Sequence, residues 1–398
     1  MRDILRRIKQ SLLLQIVIAI ILALLSGLVF PVWIVRFFLT FSTFFGELIS
    51  FSVPLILFGL IASTIASLED KAGKLLTYTL LLSYCSSFLA GVLSFLVSDA
   101  TFPHLISIHS FSNEGNESAQ ALTPYLKISI PPLADTTSTL VLSFILGLGG
   151  ALLNKDSALR RTMDDFRFLM EKYISSVIIP FLPLYIYSLF LVMTCSGNAK
   201  PILITFSKII LLIFILHIGI LLLQFTIAGI IAHRNPLKLL RTMLPAYMTA
   251  LATQSSVATI PVTLRQTLKN GVSKLVSGFS IPLCATIHMS GSVLKITSCA
   301  VALMVFSSTP YHIGMFVEFI AMLCIMAIAA PGIPGGAIMA ALPILASILG
   351  FSMEQQTLMI SLYIIMDSFG TACNVTGDGA IALIIDKINS KYDENSLQ

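Results

Sequence analysis

Charge is what this sequence most lacks. Asp, Glu, Lys and Arg make up 11% of its 398 residues, 56% are hydrophobic, and mean hydropathy is +0.94. Soluble domains carry about 25% charged residues, so this chain has too little polar surface for a cytosolic enzyme. Intrinsic disorder is excluded for the same reason, because so apolar a chain buries itself somewhere. The six cysteines form no CxxC pair, which argues against a zinc site or a disulfide framework and leaves packing as their role. There is no GxSxG elbow, no HExxH and no Gly-rich phosphate loop ending in Lys-Ser/Thr. Basic residues exceed acidic ones by 24 − 19 = 5, yet they are not interleaved with aromatics, so a nucleic-acid partner is not expected.

What is abundant is apolar runs of membrane-spanning length. A spanning helix needs about 20 mostly apolar residues, and candidates fall at 11–31, 38–68, 75–99, 137–154, 170–195, 203–232, 242–264, 275–305, 311–349 and 353–386. The fold class is therefore an all-α polytopic membrane protein. Arg2, Arg6, Arg7 and Lys9 precede a run too long for a signal peptide, so it is taken as the first membrane helix. Lys71, Lys74, Lys155, Arg160, Arg161, Arg167, Lys172, Arg234, Lys238, Arg241, Lys387 and Lys391 all lie between or after apolar runs. By the positive-inside rule these segments and both termini are cytoplasmic. The loop 99–136, with Lys127 beside Asp99, Glu114, Glu117 and Asp135, faces outward. Its Asn116-Glu117-Ser118 sequon carries little weight in a bacterial inner-membrane chain.

Two runs do not read as simple spans. Run 242–264 holds Pro245 and Pro261 around Thr253-Gln254-Ser255-Ser256, and the charge-free run 319–353 is interrupted by Pro331-Gly332-Ile333-Pro334-Gly335-Gly336. Each reads as two half-helices joined by a tip, as in a re-entrant hairpin; the plainer reading is a kinked span. Irregular backbone at membrane depth survives only where protein or water covers it. Paired interruptions in two halves of a chain mark a transporter site between inverted repeats.

The last helix carries the densest polar signal. Asp367, Thr371, Asn374 and Asp378 fall at i, i+4, i+7 and i+11, on one helical face. The two aspartates then lie roughly 16 Å apart along the axis. Oxygen groups in that stripe suit an ammonium group or a hard monovalent cation, and ionised groups inside a bilayer by default mean function. The plainer reading is an Asp378 solvated at the interface. On helix 275–305, His288 and Lys295 share a face, with Ser290 and Ser292 nearby. Lys295 is expected to pair with Asp367 or Asp378, or else to snorkel to water. A lone histidine such as His288 is more often structural than a proton relay.

These motifs together resemble the dicarboxylate/amino acid:cation symporter family, that of the glutamate transporter homologues. Thr253 to Pro261 is similar to its first hairpin tip, Ala285 to Gly291 to its Ala-Thr-Ile-Asn-Met-Asp-Gly motif, and Pro331 to Ala337 to its second tip. Asp367 to Asp378 is similar to its final-helix motif. The resemblance runs through nearly the whole chain in order and spacing. It implies about eight spans plus two re-entrant hairpins and a homotrimer working by alternating access. Substrate contacts would come from Ser255, Ser256, Ser292, Ile333, Gly335, Ala337, Asp367, Gly370, Thr371 and Asn374. Asp367 would hold an α-amino group and Asn374 an α-carboxylate. One site for the coupling ion, Na+ or H+, would be lined by Cys284 through its carbonyl, His288, Asn374 and Asp378. No other cofactor is implied. Scaffold helices are expected at 1–74 and 137–232 and a transport unit at 75–136 and 233–398.

This chain departs from the family pattern at several positions. Gly370 stands where dicarboxylate carriers place an arginine, which argues for a small neutral amino acid. Gln254 replaces an arginine of the first tip in some members. His288 and Ser290 replace Asn and Asp, which weakens a further cation site, and Lys295 is expected to act as a built-in cation that lowers the number of coupled ions. His288 alternatively couples uptake to protons. The expected function is symport of an amino acid or dicarboxylate with a cation. A gated ion or solute channel, or a carrier with reduced or lost coupling, stays open beside it. An intramembrane hydrolase built on Ser255 or Ser256, His288 and Asp367 lacks every supporting motif.

Overall fold

The computed structural model describes residues 12–66, 74–106, 122–134, 136–154, 156–195, 199–330 and 335–395. The N-terminal basic arm, Lys71, Glu114, the sequon, Asp135, Lys155 and the tip residues 331–334, including Ile333, lie outside the described residues. Within them the chain is helical and has no strand.

The first half holds α1 (Leu12–Ser26), α2 (Val32–Ala66), α3 (Lys74–Leu105), α4 (Thr136–Ala151) and α5 (Ala158–Tyr173). A π turn, Ile174–Ile178, joins α5 to α6 (Ile179–Cys195), and α7 (Ala199–Ala232) follows. The second half holds α8 (Pro236–Thr253), α9 (Ser256–Lys269), α10 (Lys274–Ile287), α11 (Ser290–Phe306), α12 (Ile313–Ala329), α13 (Gly336–Ser347), α14 (Met353–Ile365) and α15 (Asp367–Asn395). Among the described residues, six stretches are long and apolar enough to cross a bilayer, beginning at Val32, Thr77, Ala158, Ile202, Lys274 and Asp367. The 35 residues of α2 would rise about 52 Å, more than a bilayer core, so this helix tilts or projects. The protein is an all-α polytopic membrane protein.

Both interrupted runs fold as helical hairpins. In the first, Asn235 caps α8 by accepting from the Lys238 N–H at 3.1 Å, with Pro236 following where a missing N–H costs nothing. Gln254, at φ 54° and ψ 25°, reverses the chain, and the Ser255 hydroxyl caps α9 on the Ala258 N–H at 3.2 Å. The hairpin thus spans 236–269, wider than the apolar run at 242–264. In the second, His312 caps α12 through Nδ1, so the arm begins at 313, ahead of the charge-free run. Gly335, at φ 77°, leads into α13.

Packing divides the helices into two groups. In one, α2 lies on α4, α5 and α6, and α1 lies on α6. In the other, α15 is enclosed by α7, α8, α9, α10 and α11, and α3 runs along α11. A ladder of hydroxyls joins α3 to its neighbours. Ser83 meets Cys284 at 3.6 Å, Ser87 accepts the Met289 N–H at 3.1 Å, Ser94 donates to the Leu294 carbonyl at 2.7 Å, and Ser98 meets Ser298 at 2.8 Å. All four serines are buried. Small residues on one face allow close approach, and their hydroxyls bond across it. The second hairpin packs on α2, α3 and α4, while the first leaves Ala252, Thr253, Val257 and Ala258 exposed at its tip.

Candidate functional site

The site forms where two long helices are interrupted. His288 and Met289 leave helical geometry between α10 and α11, and Met366 does so between α14 and α15. An interruption leaves orphan N–H groups that must be satisfied inside a membrane. Asn374 of α15 supplies this for α11: its Oδ1 accepts from the Gly291 N–H at 2.7 Å and the Ser292 N–H at 3.3 Å. Its Nδ2 donates to Ser292 Oγ at 3.0 Å and to the thioether of Met289 at 3.4 Å. The approach is close enough that a Cβ at Gly291 would stand 2.7 Å from the Gly370 carbonyl oxygen and from Cys373 Cβ.

Asp367 opens α15 and is buried. Its Oδ2 accepts from the Gly335 N–H at 2.9 Å, which ties the second hairpin to the last helix. Its Oδ1 lies 3.3 Å from Lys295 Nζ, in an ion pair whose lysine side chain is 0% exposed. Lys295 also reaches the carbonyl oxygens of Met366 at 3.4 Å and Tyr363 at 3.5 Å, and its Nζ lies 3.4 Å from the Tyr363 ring centroid. Thr371 donates to the Asp367 carbonyl at 3.0 Å. Gly370 leaves room for the lysine: a Cβ there would stand 3.0 Å from Nζ.

One helical turn beyond Asn374, Asp378 is buried and takes His288 Nδ1 at 2.9 Å. The imidazole's Nε2 meets Ser86 Oγ at 3.1 Å, and Gln224 donates to Ser86 at 2.9 Å and to Ser290 at 3.1 Å. Cys284 lies one turn before the break, and its carbonyl accepts the His288 N–H at 2.9 Å. The contacts of Asn374, His288, Ser290, Ser292, Asp367 and Asp378 are stacked along α15 inside the helix bundle. Ser255 is the cap of α9, with Ser256 beginning that helix at the first tip; Ala337 is buried in the first turn of α13. Among the described residues no group of three His, Cys, Asp or Glu side chains could hold a metal ion.

Several residues of this stack were not singled out from the sequence. Gln224 and His217 come from α7; His217 Nε2 meets the Gly291 carbonyl at 3.1 Å. Ser86 and Ser87 come from α3, and Tyr363 from α14. The signal for Gln224 and His217 was present: both are lone polar residues in a long apolar run. Among the described residues, His217 Nδ1 and Gln224 Oε1 have no hydrogen-bond partner. A cavity of about 370 Å³ beside His217, Phe214 and Phe369 is apolar and includes none of the predicted substrate residues.

Interrupted helices that gather buried carboxylates, an amide and hydroxyls between two hairpins define a secondary transporter. The family model for the sodium:dicarboxylate symporter family matches residues 12–388, and the chain belongs to that family. It is 26% identical to the serine/threonine transporter SstT of Acinetobacter baumannii (strain AYE) over 395 residues, 94% of this chain and 96% of that protein. The same protein of Acinetobacter baylyi is 26% identical over 96% of this chain and 98% of its own length. Excitatory amino acid transporter 3 of Oryctolagus cuniculus is 32% identical over 163 residues, 41% of this chain and 31% of that protein. The chain is thus a multi-pass membrane transporter and not an enzyme.

Proposed function

We propose that the protein is a sodium-driven symporter of a small carboxylate-bearing substrate, of the amino acid or dicarboxylate kind. It would work in a bacterial inner membrane as a homotrimer with both termini cytoplasmic. The observation that carries this reading is the polar stack at the paired helix interruptions, with Asp378 and Asp367 one above the other on α15. Substrate would lie between the tips beside Ser256, Ser292, Gly335, Thr371 and Asn374. The absence of an arginine at Gly370 leaves a second substrate carboxylate without a bidentate partner. That favours a substrate with one carboxylate.

Sodium would take the Asp378 carboxylate together with backbone carbonyls of Cys284 and Asn374. Asn374 Oδ1 is committed to the Gly291 and Ser292 N–H groups, so its contribution to the ion would be the backbone carbonyl. The mobile unit would comprise α3 and α7–α15, with the division set before α7, because that helix packs on α8, α11 and α15. Composition cannot tell which apolar helix packs on which, so the sequence put the division at 233. The second hairpin on α2 and α4, with the first tip exposed, supports an inward-facing arrangement.

The test is uptake into proteoliposomes under a sodium gradient, with Asp378→Asn as control. Sodium-dependent accumulation that the variant loses is expected; accumulation indifferent to sodium would overturn sodium coupling. Proton coupling is the second reading, favoured by the His288 ring on Asp378. It requires uptake driven by a pH gradient alone.

A further inference from the structure

We propose that Lys295 is a tethered stand-in for a substrate ammonium group, and that this carrier therefore selects small carboxylic acids without an α-amino group. The inference rests on the symport reading and names the substrate class of the same site. Three observations carry it.

First, the charge of Asp367 is already paired. Oδ1 faces Lys295 Nζ at 3.3 Å and Oδ2 takes the Gly335 N–H at 2.9 Å. The three ammonium protons of Lys295 have three oxygen acceptors, Asp367 Oδ1 and the Tyr363 and Met366 carbonyls, and the Tyr363 ring covers the same atom. The ammonium of a zwitterionic amino acid at Asp367 would stand beside the fully buried Lys295 charge, and two like charges sharing one carboxylate in low dielectric are strongly disfavoured. A substrate with no ammonium brings no second charge.

Second, residue 370 leaves room for the pair. A Cβ at position 370 would stand 3.0 Å from Nζ and 3.3 Å from Cε of Lys295. Glycine there lets the lysine head lie against α15 without displacement. The site keeps one positive charge in this region, but turns it onto Asp367 and away from an incoming carboxylate.

Third, the donors left for substrate suit a carboxylate. Asn374 Nδ2 rests on the Met289 thioether at 3.4 Å, a weak acceptor that a carboxylate oxygen displaces readily. The Ser292 hydroxyl, which accepts from the same Nδ2 at 3.0 Å, lies beside it. Nothing in this arrangement requires nitrogen on the substrate.

The experiment compares pairs of compounds that differ only in the amino group: L-lactate against L-alanine, and succinate against L-aspartate. Labelled compounds are followed into proteoliposomes holding the full chain under an inward sodium gradient. In at least one pair, uptake of the member without nitrogen is expected to exceed the aminated one by tenfold or more, and Lys295→Met is expected to shrink that ratio below threefold or reverse it. Because Lys295→Met strands Asp367 in the interior, the wild-type protein in detergent is also melted with each compound. A larger stabilisation by the unaminated member of a pair is expected. If neither pair shows a preference for the member without nitrogen, whether the aminated member is preferred or the two are handled equally, the inference is overturned and sodium symport is left standing. No sodium-driven uptake of any of the four compounds counts against both.

Discussion

At the scale of single residues, the interior of this transporter is governed by pairing. Lys295 and Asp367, and His288 and Asp378, are buried couples on facing helices. Removing one partner of such a couple leaves a buried polar or charged group exposed to low dielectric, which costs about 3–5 kcal/mol where the pair is ionised. The replacements at 288 and 290 should therefore be read together. Restoring the family residues with His288→Asn and Ser290→Asp returns a carboxylate to α11 beside Ser86 and Gln224. The expected result is a steeper sodium activation of uptake, with a higher Hill coefficient; an unchanged curve would show that position 290 has no part in ion binding. The sequence made the acidic stripe of α15 legible because charge is so rare here. It left the partner of Lys295 undecided between two aspartates, since helix periodicity orders a face but does not say which facing helix it meets.

At the scale of elements, close helix contact decides what can change. At Gly291, α11 approaches α15 so closely that a methyl group would meet a backbone oxygen at 2.7 Å. Backbone cannot rotate away as a side chain can, so Gly291→Ala is expected to destabilise by about 1–3 kcal/mol, read as a lower melting temperature of the purified protein. The hairpins give a second test. In a Cys85→Ser, Cys195→Ser background, Ser256→Cys at the exposed first tip should react with a membrane-impermeant maleimide supplied from the cytoplasmic face. Ala337→Cys, buried in α13, should react at least tenfold more slowly. Both hairpins were readable from proline, glycine and serine placed inside apolar runs. Their true ends were not, because polar caps such as Asn235 and His312 start helices outside the apolar window. The hydroxyl ladder of α3 was also missed; serines spaced by four and seven residues are quiet beside a carboxylate.

At the scale of the molecule, much apolar surface remains uncovered. Leu25, Leu28, Val29, Val32, Trp33 and Phe37 on α1 and α2 are exposed in the single chain, as surfaces facing lipid or further copies must be. Native mass spectrometry from nanodiscs is expected to give three copies per particle; a monomer would assign that whole surface to lipid. Overall architecture was readable from composition because a bilayer admits few solutions for so apolar a chain. The grouping of helices was not, since every apolar helix offers neighbours a similar face.

If α11 and α15 move as one unit, the lysine paired with Asp367 also bears on how the empty carrier resets. An unpaired carboxylate moved across the full electrical field would be worked on by membrane voltage at about 2.3 kcal/mol per elementary charge per 100 mV. With the ammonium fixed beside it, that carboxylate contributes no net charge to the return stroke. Membrane voltage would then do no net work on this pair during the return.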